Sequence, residues 1–289
     1  TISQRPSDHC ATMVKYSAWC APNGVIRMMP MRRLPISDDQ PIHVVQLSDP
    51  HLFADVSGCL LGMNTERSFR DVMSLVARDQ PRIDLVLATG DLAQSPAPST
   101  YVRFFEAVST FKAPQFWLQG NHDLEDMFGH GHPSKACTGP VIIAAGHWRI
   151  IMLNSSVDHE IAGSFTASEL AWLNDALVQC RDQPVMVCMH HHPLPIGSYW
   201  LDQHMLDNAL AFWTIIEQYD NVVAVVHGHV HQAFDHQYGS TRVLACPSTC
   251  IQFKPNSDIF ALDPIAPGYR WFRLNPDGTL QTGVSRIDH

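Results

Sequence analysis

Hydrophobic and polar positions follow no clear period before residue 41 and a repeating one after it. Residues 42–47 form a short β-branched apolar run and predict a strand. Residues 65–78 place Phe69, Val72, Met73 and Val76 at helical spacing. A second buried strand is expected over 84–88, a helix over 99–110 and a third strand over 115–118. Residues 141–145 and 148–153 read as a strand pair joined at Gly146-His147. Thr166-Ala167-Ser168-Glu169 is a capping box opening a helix to about Gln179, with Trp172, Leu173 and Leu177 as its buried face. Beyond it come a strand over 184–189, a helix over 207–218, and strands over 221–226 and 242–246. Residues 269–274 and 279–284 predict a hairpin turning at Asn275-Pro276-Asp277-Gly278. Continuously apolar strands alternating with helices indicate an α/β layered fold. The late hairpin adds an antiparallel portion of sheet. No repeat, low-complexity tract or linker divides residues 41–289, which read as a single domain.

Residues 1–40 stand apart as an irregular N-terminal extension. They carry net charge +2, against −11 for the rest, and are broken by Pro6, Pro22, Pro30 and Pro35. Met28, Met29 and Met31 are candidate initiators, which would put residues 1–27 upstream of the true start. A secretory signal needs an unbroken apolar core of roughly 7–15 residues. The stretch 19–26 is interrupted by Pro22, Asn23 and Gly24. The whole chain of 289 residues has a formal net charge of −9, which argues against a nucleic-acid partner. No apolar run approaches the ~18–20 residues that span a bilayer, so no membrane partner is expected. The eight cysteines include no C-x-x-C pair, so reduced thiols and a cytoplasmic location are expected. Nothing in the pattern sets an oligomeric state.

The 17 histidines are the compositional anomaly. His51 lies in Asp49-Pro50-His51, His122 in Gly120-Asn121-His122-Asp123, and others in His190-His191-His192 and His227-Gly228-His229-Val230-His231. Each group directly follows an apolar strand, as does Gly90-Asp91. In open α/β sheets, ligands bind at the carboxyl ends of strands. In Asp49-x-His51 and His229-x-His231, an extended backbone would put both side chains on one side. The donors are oxygen and nitrogen, with no convergent thiolate, which suits a catalytic Mn, Fe or Zn site. An isolated D-x-H or H-x-H is a weak signal; the ordered set, each member after a strand, is a strong one.

That ordered set resembles the calcineurin-like metallophosphoesterase superfamily over about residues 42–250. The resemblance implies an α/β fold in which a β-sandwich of mixed sheets is flanked by helices, and a site for two divalent metal ions. One ion would be held by Asp49, His51, Asp91 and His231, the other by Asp91, Asn121, His190 and His229. His122 matches the substrate-facing histidine, so His122 and Asp91 are the catalytic candidates. His51, Asp91, Asn121, His122 and His231 would meet the substrate. Longer strings, such as the one over 190–197 followed by Trp200-Leu201-Asp202-Gln203-His204 and Asn208, and that over 247–255, look like bacterial class III cyclic-nucleotide phosphodiesterases. Pro50 stands where Thr is common and should point away from the metal.

The implied activity is hydrolysis of 3′,5′-cyclic AMP to 5′-AMP, lowering intracellular cyclic AMP. Fe or Mn is the expected metal, with Zn also accepted. A broader metallophosphodiesterase or phosphomonoesterase is the alternative, because a fold does not set a substrate. A non-catalytic nucleotide-binding module on the same fold is a further one. His191 and His192 either support the ligands or contact substrate, and His227 reads as core or support. Asp123 either orients His122 or caps a turn. Trp200 either stacks on a base or packs on its neighbours. Cys246 and Cys250 are buried thiols or a redox pair.

Overall fold

Apolar runs without polar alternation must be covered on both faces, and here they assemble into stacked sheets. The computed structural model describes residues 17–20, 26–29, 31–128 and 140–288. In chain order the described elements are β1 (Ser17–Cys20), β2 (Ile26–Met29), β3 (Met31–Arg33), β4 (Ile42–Leu47), β5 (Cys59–Leu60) and β6 (Met63–Asn64). Next come α1 (Thr65–Asp79), β7 (Leu85–Thr89), α2 (Pro98–Ser109), β8 (Gln115–Leu118), α3 (Glu125–Phe128), β9 (Val141–Ala145) and β10 (Trp148–Met152). The second half holds α4 (Ala167–Gln179), β11 (Val185–Cys188), α5 (Tyr199–Asp202), α6 (Ala209–Ile216) and β12 (Val222–His227). It ends with β13 (Asp235–Tyr238), β14 (Thr241–Ala245), β15 (Gln252–Phe253), β16 (Leu262–Asp263), β17 (Gly268–Leu274) and β18 (Leu280–Arg286).

One sheet has the order β18-β17-β4-β7-β8, in which β4, β7 and β8 are parallel and the β17–β18 hairpin is antiparallel. The other has the order β13-β14-β12-β11-β10-β9-β3, parallel from β14 to β10. Side-chain alternation divides the second sheet between two cores. Ile143, Ile150, Met152, Met186, Cys188, Ala224 and Val226 face the core shared with the first sheet. Ile142, Ile151, Val185, Val187 and Val225 pack with Leu173, Ala176 and Leu177 of α4 and Phe212, Trp213 and Ile216 of α6. Helices α1 and α2 close the first sheet with Phe69, Val72, Val76 and Phe104. The layers are therefore helix, sheet, sheet, helix, the mixed-sheet sandwich that the resemblance implies.

The capping box forms as the sequence predicts. Thr166 accepts from the Glu169 N–H at 3.2 Å and the Glu169 carboxylate accepts from the Thr166 N–H at 2.8 Å. Trp172 is only half-buried, at the edge of the face that Leu173 and Leu177 bury. Helix α6 is shorter than the expected 207–218; Asn208 stands at its N-cap, where its side chain bonds the Phe165 backbone in both directions, at 3.1 and 2.6 Å.

The structure places strands where the pattern gave none. Within the segment read as irregular, β1 pairs with β2, and β3 adds a parallel edge beside β9. Residues 1–16, 21–25 and 30 of that segment lie outside the described residues. Strand β13 reads Asp-His-Gln-Tyr and is mostly exposed, so no apolar signal marks it. It is held by its ladder to β14 and by the Asp235–Arg242 ion pair across it.

Leu173 is fully buried between α4 and the second sheet. Leu173→Ala should lower the unfolding free energy by about 2–5 kcal/mol, measured by chemical denaturation.

Candidate active site

Strands β4, β7 and β8 of one sheet and β11 and β12 of the other deliver five loops to one end of the sandwich. The loops are stitched by backbone bonds, among them Asp49 N–H to Gly90 O and His51 N–H to Asp91 O, each 3.0 Å, and Gly228 N–H to His190 O, 3.1 Å. Asp49, His51, Asp91, His229 and His231 all adopt positive φ, between 46° and 67°. A non-glycine residue there costs roughly 1–2 kcal/mol and persists only where its surroundings over-determine it. The two tripeptides Asp49-x-His51 and His229-x-His231 are thus not extended, which corrects the spacing argument. Their ends converge because both are left-handed, not because of a strand's pleat. Gly90 has φ +98°, and a Cβ there would strike the His190 ring. A Cβ on Gly120 would strike Asp91.

All eight sequence-predicted site residues come together. Asp91 Oδ2 lies 3.6 Å from His51 Nε2 and 3.5 Å from His190 Nε2, so one oxygen faces both rings. Asp91 Oδ1 accepts from the His122 N–H at 2.8 Å. On one side, His231 Nε2 is 3.1 Å from His51 Nε2 and 3.5 Å from Asp49 Oδ1. On the other, His190 Nε2 is 3.3 Å from Asn121 Oδ1, and the His229 ring centre lies 5.1 Å from that of His190. The His229 N–H donates to both Asp49 oxygens at 3.1 Å, tying the two sheets together. His51, Asp91, Asn121, His122, His229 and His231 line a cavity of about 190 Å³. A larger groove of about 880 Å³ begins beyond its Leu61 and Ile251 walls and contains none of the eight.

Partners around these residues settle several open alternatives. Asp123 accepts from the N–H groups of Gly120, Leu92 and Ala93 and from the Tyr101 hydroxyl, at 3.0–3.1 Å. It therefore ties the Gly120 turn to the loop after β7 and makes no bond to the His122 ring. His191 is engaged at both nitrogens, by Ser155 Oγ at 2.8 Å and the Ile161 carbonyl at 3.0 Å, so it supports its neighbours. His227 is buried, with Nδ1 on the Gly228 carbonyl. His192 is buried and lies 3.4 Å from Asp202. Trp200 packs edge-on against Phe253 and Phe260 and lines the same cavity, so its packing does not by itself decide between the two roles. Cys246 and Cys250 are unpaired thiols, and burial pushes both up to about 12, as expected of packing residues rather than a redox pair. Phe253 and Phe260 also line the cavity. Sequence reasoning gave them no role, since aromatics carry no ligand chemistry; Phe253 fell within the string over 247–255, and Phe260 had no signal at all.

The donor chemistry fits divalent metal ions. The Nδ1–H of His190 donates to the Thr89 carbonyl at 2.7 Å, and that of His231 to the Ile251 carbonyl at 2.9 Å. Each Nε2 is thereby aimed at the cluster, the usual orienting bond of a ligating histidine. His229 Nε2 is buried without a partner. Burial, then the neighbouring His191 and His190, holds its ring well below the ordinary histidine range, so its lone pair is available. Burial opposes ionisation of Asp91, but His190 and His51 outweigh it and hold the carboxyl well below its usual range. Asp49 is lowered too, because His231 outweighs burial.

Burial would lower His190, yet Asp91 and then Asp49 overcome it and raise the ring to about 9. Without metal, the folded chain thus keeps a proton that the unfolded chain releases near 6.5. Stability from this proton is complete below pH 6.5 and is lost as pH rises through 9. His51 and His227, both lowered to about 3 by burial, and His191, His192 and His229, also lowered by burial, are neutral in the folded chain over that range, while the unfolded chain releases their protons through 6.5; they raise stability up to about pH 7.5 and add no slope above it. Asp123, raised to about 7 by burial and Asp91, has ionised by the upper half of that range. Denaturation of the metal-free protein should therefore show stability falling between about pH 7.5 and 9. His190→Asn should flatten the slope, and so should metal loading, which displaces the proton.

Comparison with known proteins agrees with this geometry. The family model described as calcineurin-like phosphoesterase matches residues 42–233. The chain is 42% identical over 250 residues to the 3′,5′-cyclic adenosine monophosphate phosphodiesterase CpdA of Pseudomonas aeruginosa, covering 86% of this chain and 92% of that one. It is 38% identical over 255 residues to CpdA of Escherichia coli K12, covering 88% and 93%. Among solved structures, a dimetal phosphatase from Danio rerio shares the fold, with a TM-score of 0.61 at 13% identity, covering 86% of this chain and all of that one. With the family's pattern matched from the start of β4 past the end of β12 and on through His231, the chain belongs to the calcineurin-like phosphoesterase family.

Proposed function

We propose that this chain is a dinuclear-metal phosphodiesterase that hydrolyses 3′,5′-cyclic AMP to 5′-AMP. The observation that carries the reading is Asp91 Oδ2, placed within 3.6 Å of a ring on each side. One ion would take Asp49, His51, Asp91 and His231, and the other Asp91, Asn121, His190 and His229. The names of the relatives in Pseudomonas and Escherichia support cyclic AMP as substrate. The oxygen and nitrogen donors suit Fe or Mn first, with Zn also accommodated. Cys59, Cys180, Cys188, Cys246 and Cys250 are unpaired, in keeping with a cytosolic enzyme.

When bound, such a pair of cations clamps phosphoryl oxygens and lowers the pKa of water. The chain's own residues supply the rest. Asp49 and Asp91 set the charge of the cavity floor, leaving it cationic toward a phosphodiester once both ions are bound. His122 lines the cavity and is fixed through its backbone N–H on Asp91. Its ring stands edge-on to His51 at 4.8 Å between centres. In the reaction, a water oxygen bonds to phosphorus, the bond from phosphorus to O3′ breaks, and O3′ gains a proton. His122 is placed to supply that proton or to hold the phosphoryl oxygens, a contribution of roughly 10²–10⁴ in rate.

Asp91→Asn should abolish turnover of cyclic AMP and lower metal content, read by elemental analysis and product assay. Near-normal turnover with two ions retained contradicts the ligand assignment. His122→Ala should keep both ions and lose roughly 10²–10⁴ of the rate; loss of metal instead makes His122 structural. The function itself is tested on metal-reconstituted protein with cyclic AMP, cyclic GMP, 2′,3′-cyclic AMP and phosphomonoesters. Preference for the 3′,5′-cyclic diester supports the reading. Equal rates on all indicate a broad phosphoesterase, and no turnover of any indicates a binding module.

A further inference from the structure

The cavity has a polar floor and an apolar mouth. Its floor is the histidine and carboxylate cluster, whereas Leu61, Ile161 and Phe260 at its edge are 57%, 53% and 51% exposed. Large apolar side chains gathered in the open at one cavity mark a binding surface. Phe260 does not stand alone there. It meets Trp200 edge-on, with ring centres 5.2 Å apart at 73°. Trp200 meets Phe253 edge-on at 5.0 Å and 82°, and Phe253 stacks on the His231 ring at 4.3 Å and 12°. A braced aromatic chain therefore runs from a candidate metal ligand to the mouth.

Across the mouth, Leu61 is held at φ 49° in the tight turn joining β5 and β6. A bulky residue in the left-handed region is strained, so the turn maintains its position at a cost. A ligand matching this cavity is anionic at one end and flat and apolar at the other. A nucleoside cyclic phosphate has that division, and aromatic rings bind bases through their π-faces.

We propose that Phe260 is the nucleobase platform of this site and determines its preference for nucleotides over simpler diesters. Trp200 and Phe253 are positioning residues that brace it. The proposal rests on the phosphodiesterase reading above and adds what selects the substrate.

The test compares kcat/KM for cyclic AMP with that for 1-deoxyribose 3′,5′-cyclic phosphate, which keeps the scissile ring and lacks the base. Wild-type protein, Phe260→Ala and Phe260→Trp are each measured after metal content is checked. Wild type should prefer cyclic AMP, and Phe260→Ala should reduce that preference about tenfold or more, chiefly through KM. Phe260→Trp should restore it. A preference unchanged in Phe260→Ala overturns the platform, as does a wild type that cleaves both substrates equally well. Loss of both activities in parallel makes Phe260 a structural residue and also overturns it. A wild type that cleaves neither substrate removes the phosphodiesterase reading itself, and the platform with it.

Discussion

A buried carboxylate must be matched by donors or cations, and Asp91 meets that constraint on the floor of the cavity. Its Oδ2 faces His51 and His190, and its Oδ1 takes the His122 N–H. Placing it there requires Gly90 at φ +98° and Asp91 itself at φ 51°. The backbone strain is held by the bonds that lace the loops after β4 and β7, and by Asp123, which gathers the N–H groups of Gly120, Leu92 and Ala93. Removing the charge of Asp91 would therefore disturb both halves of the cluster and the loop geometry together.

The cluster is also a joint between sheets. Asp49, His51, Asp91, Asn121 and His122 follow strands of the five-stranded sheet, while His190, His229 and His231 follow strands of the seven-stranded one. Distances of 3–4 Å across that joint are set by how the two sheets pack, through the core that Val44, Val45, Ile150, Met186 and Val226 share. The direct tie is the His229 N–H on both oxygens of Asp49. This explains why a buried core positions the chemistry, with Cys59, Cys180, Cys188, Cys246 and Cys250 all unpaired.

Much of this was legible in the chain because buried parallel strands write themselves as largely apolar runs, and β4 and β8 keep their expected bounds residue for residue. Helix α4 announced itself by its capping box. Strand β13 was hidden because its residues are polar and exposed and only the neighbouring strand makes it a strand. Strand β3 was hidden because three residues carry no period. The members of the site could be named, since carboxylates and imidazoles after strands are chemically conspicuous. How they converge could not, because left-handed φ at Asp49, His51, His229 and His231 has no signature in non-glycine residues. Phe253, Phe260 and Leu61 were invisible for a different reason. They lie some two hundred residues apart along the chain in part, and only folding brings them to one cavity.

The central claim is that Asp91 stands between two metal ions. Anomalous diffraction from crystals of the Mn-loaded protein tests it most directly. The account predicts two peaks about 3.5–4 Å apart, with the Asp91 carboxylate between them and His51 and His190 on opposite sides. A single peak, or a second ion away from Asp91, would contradict it.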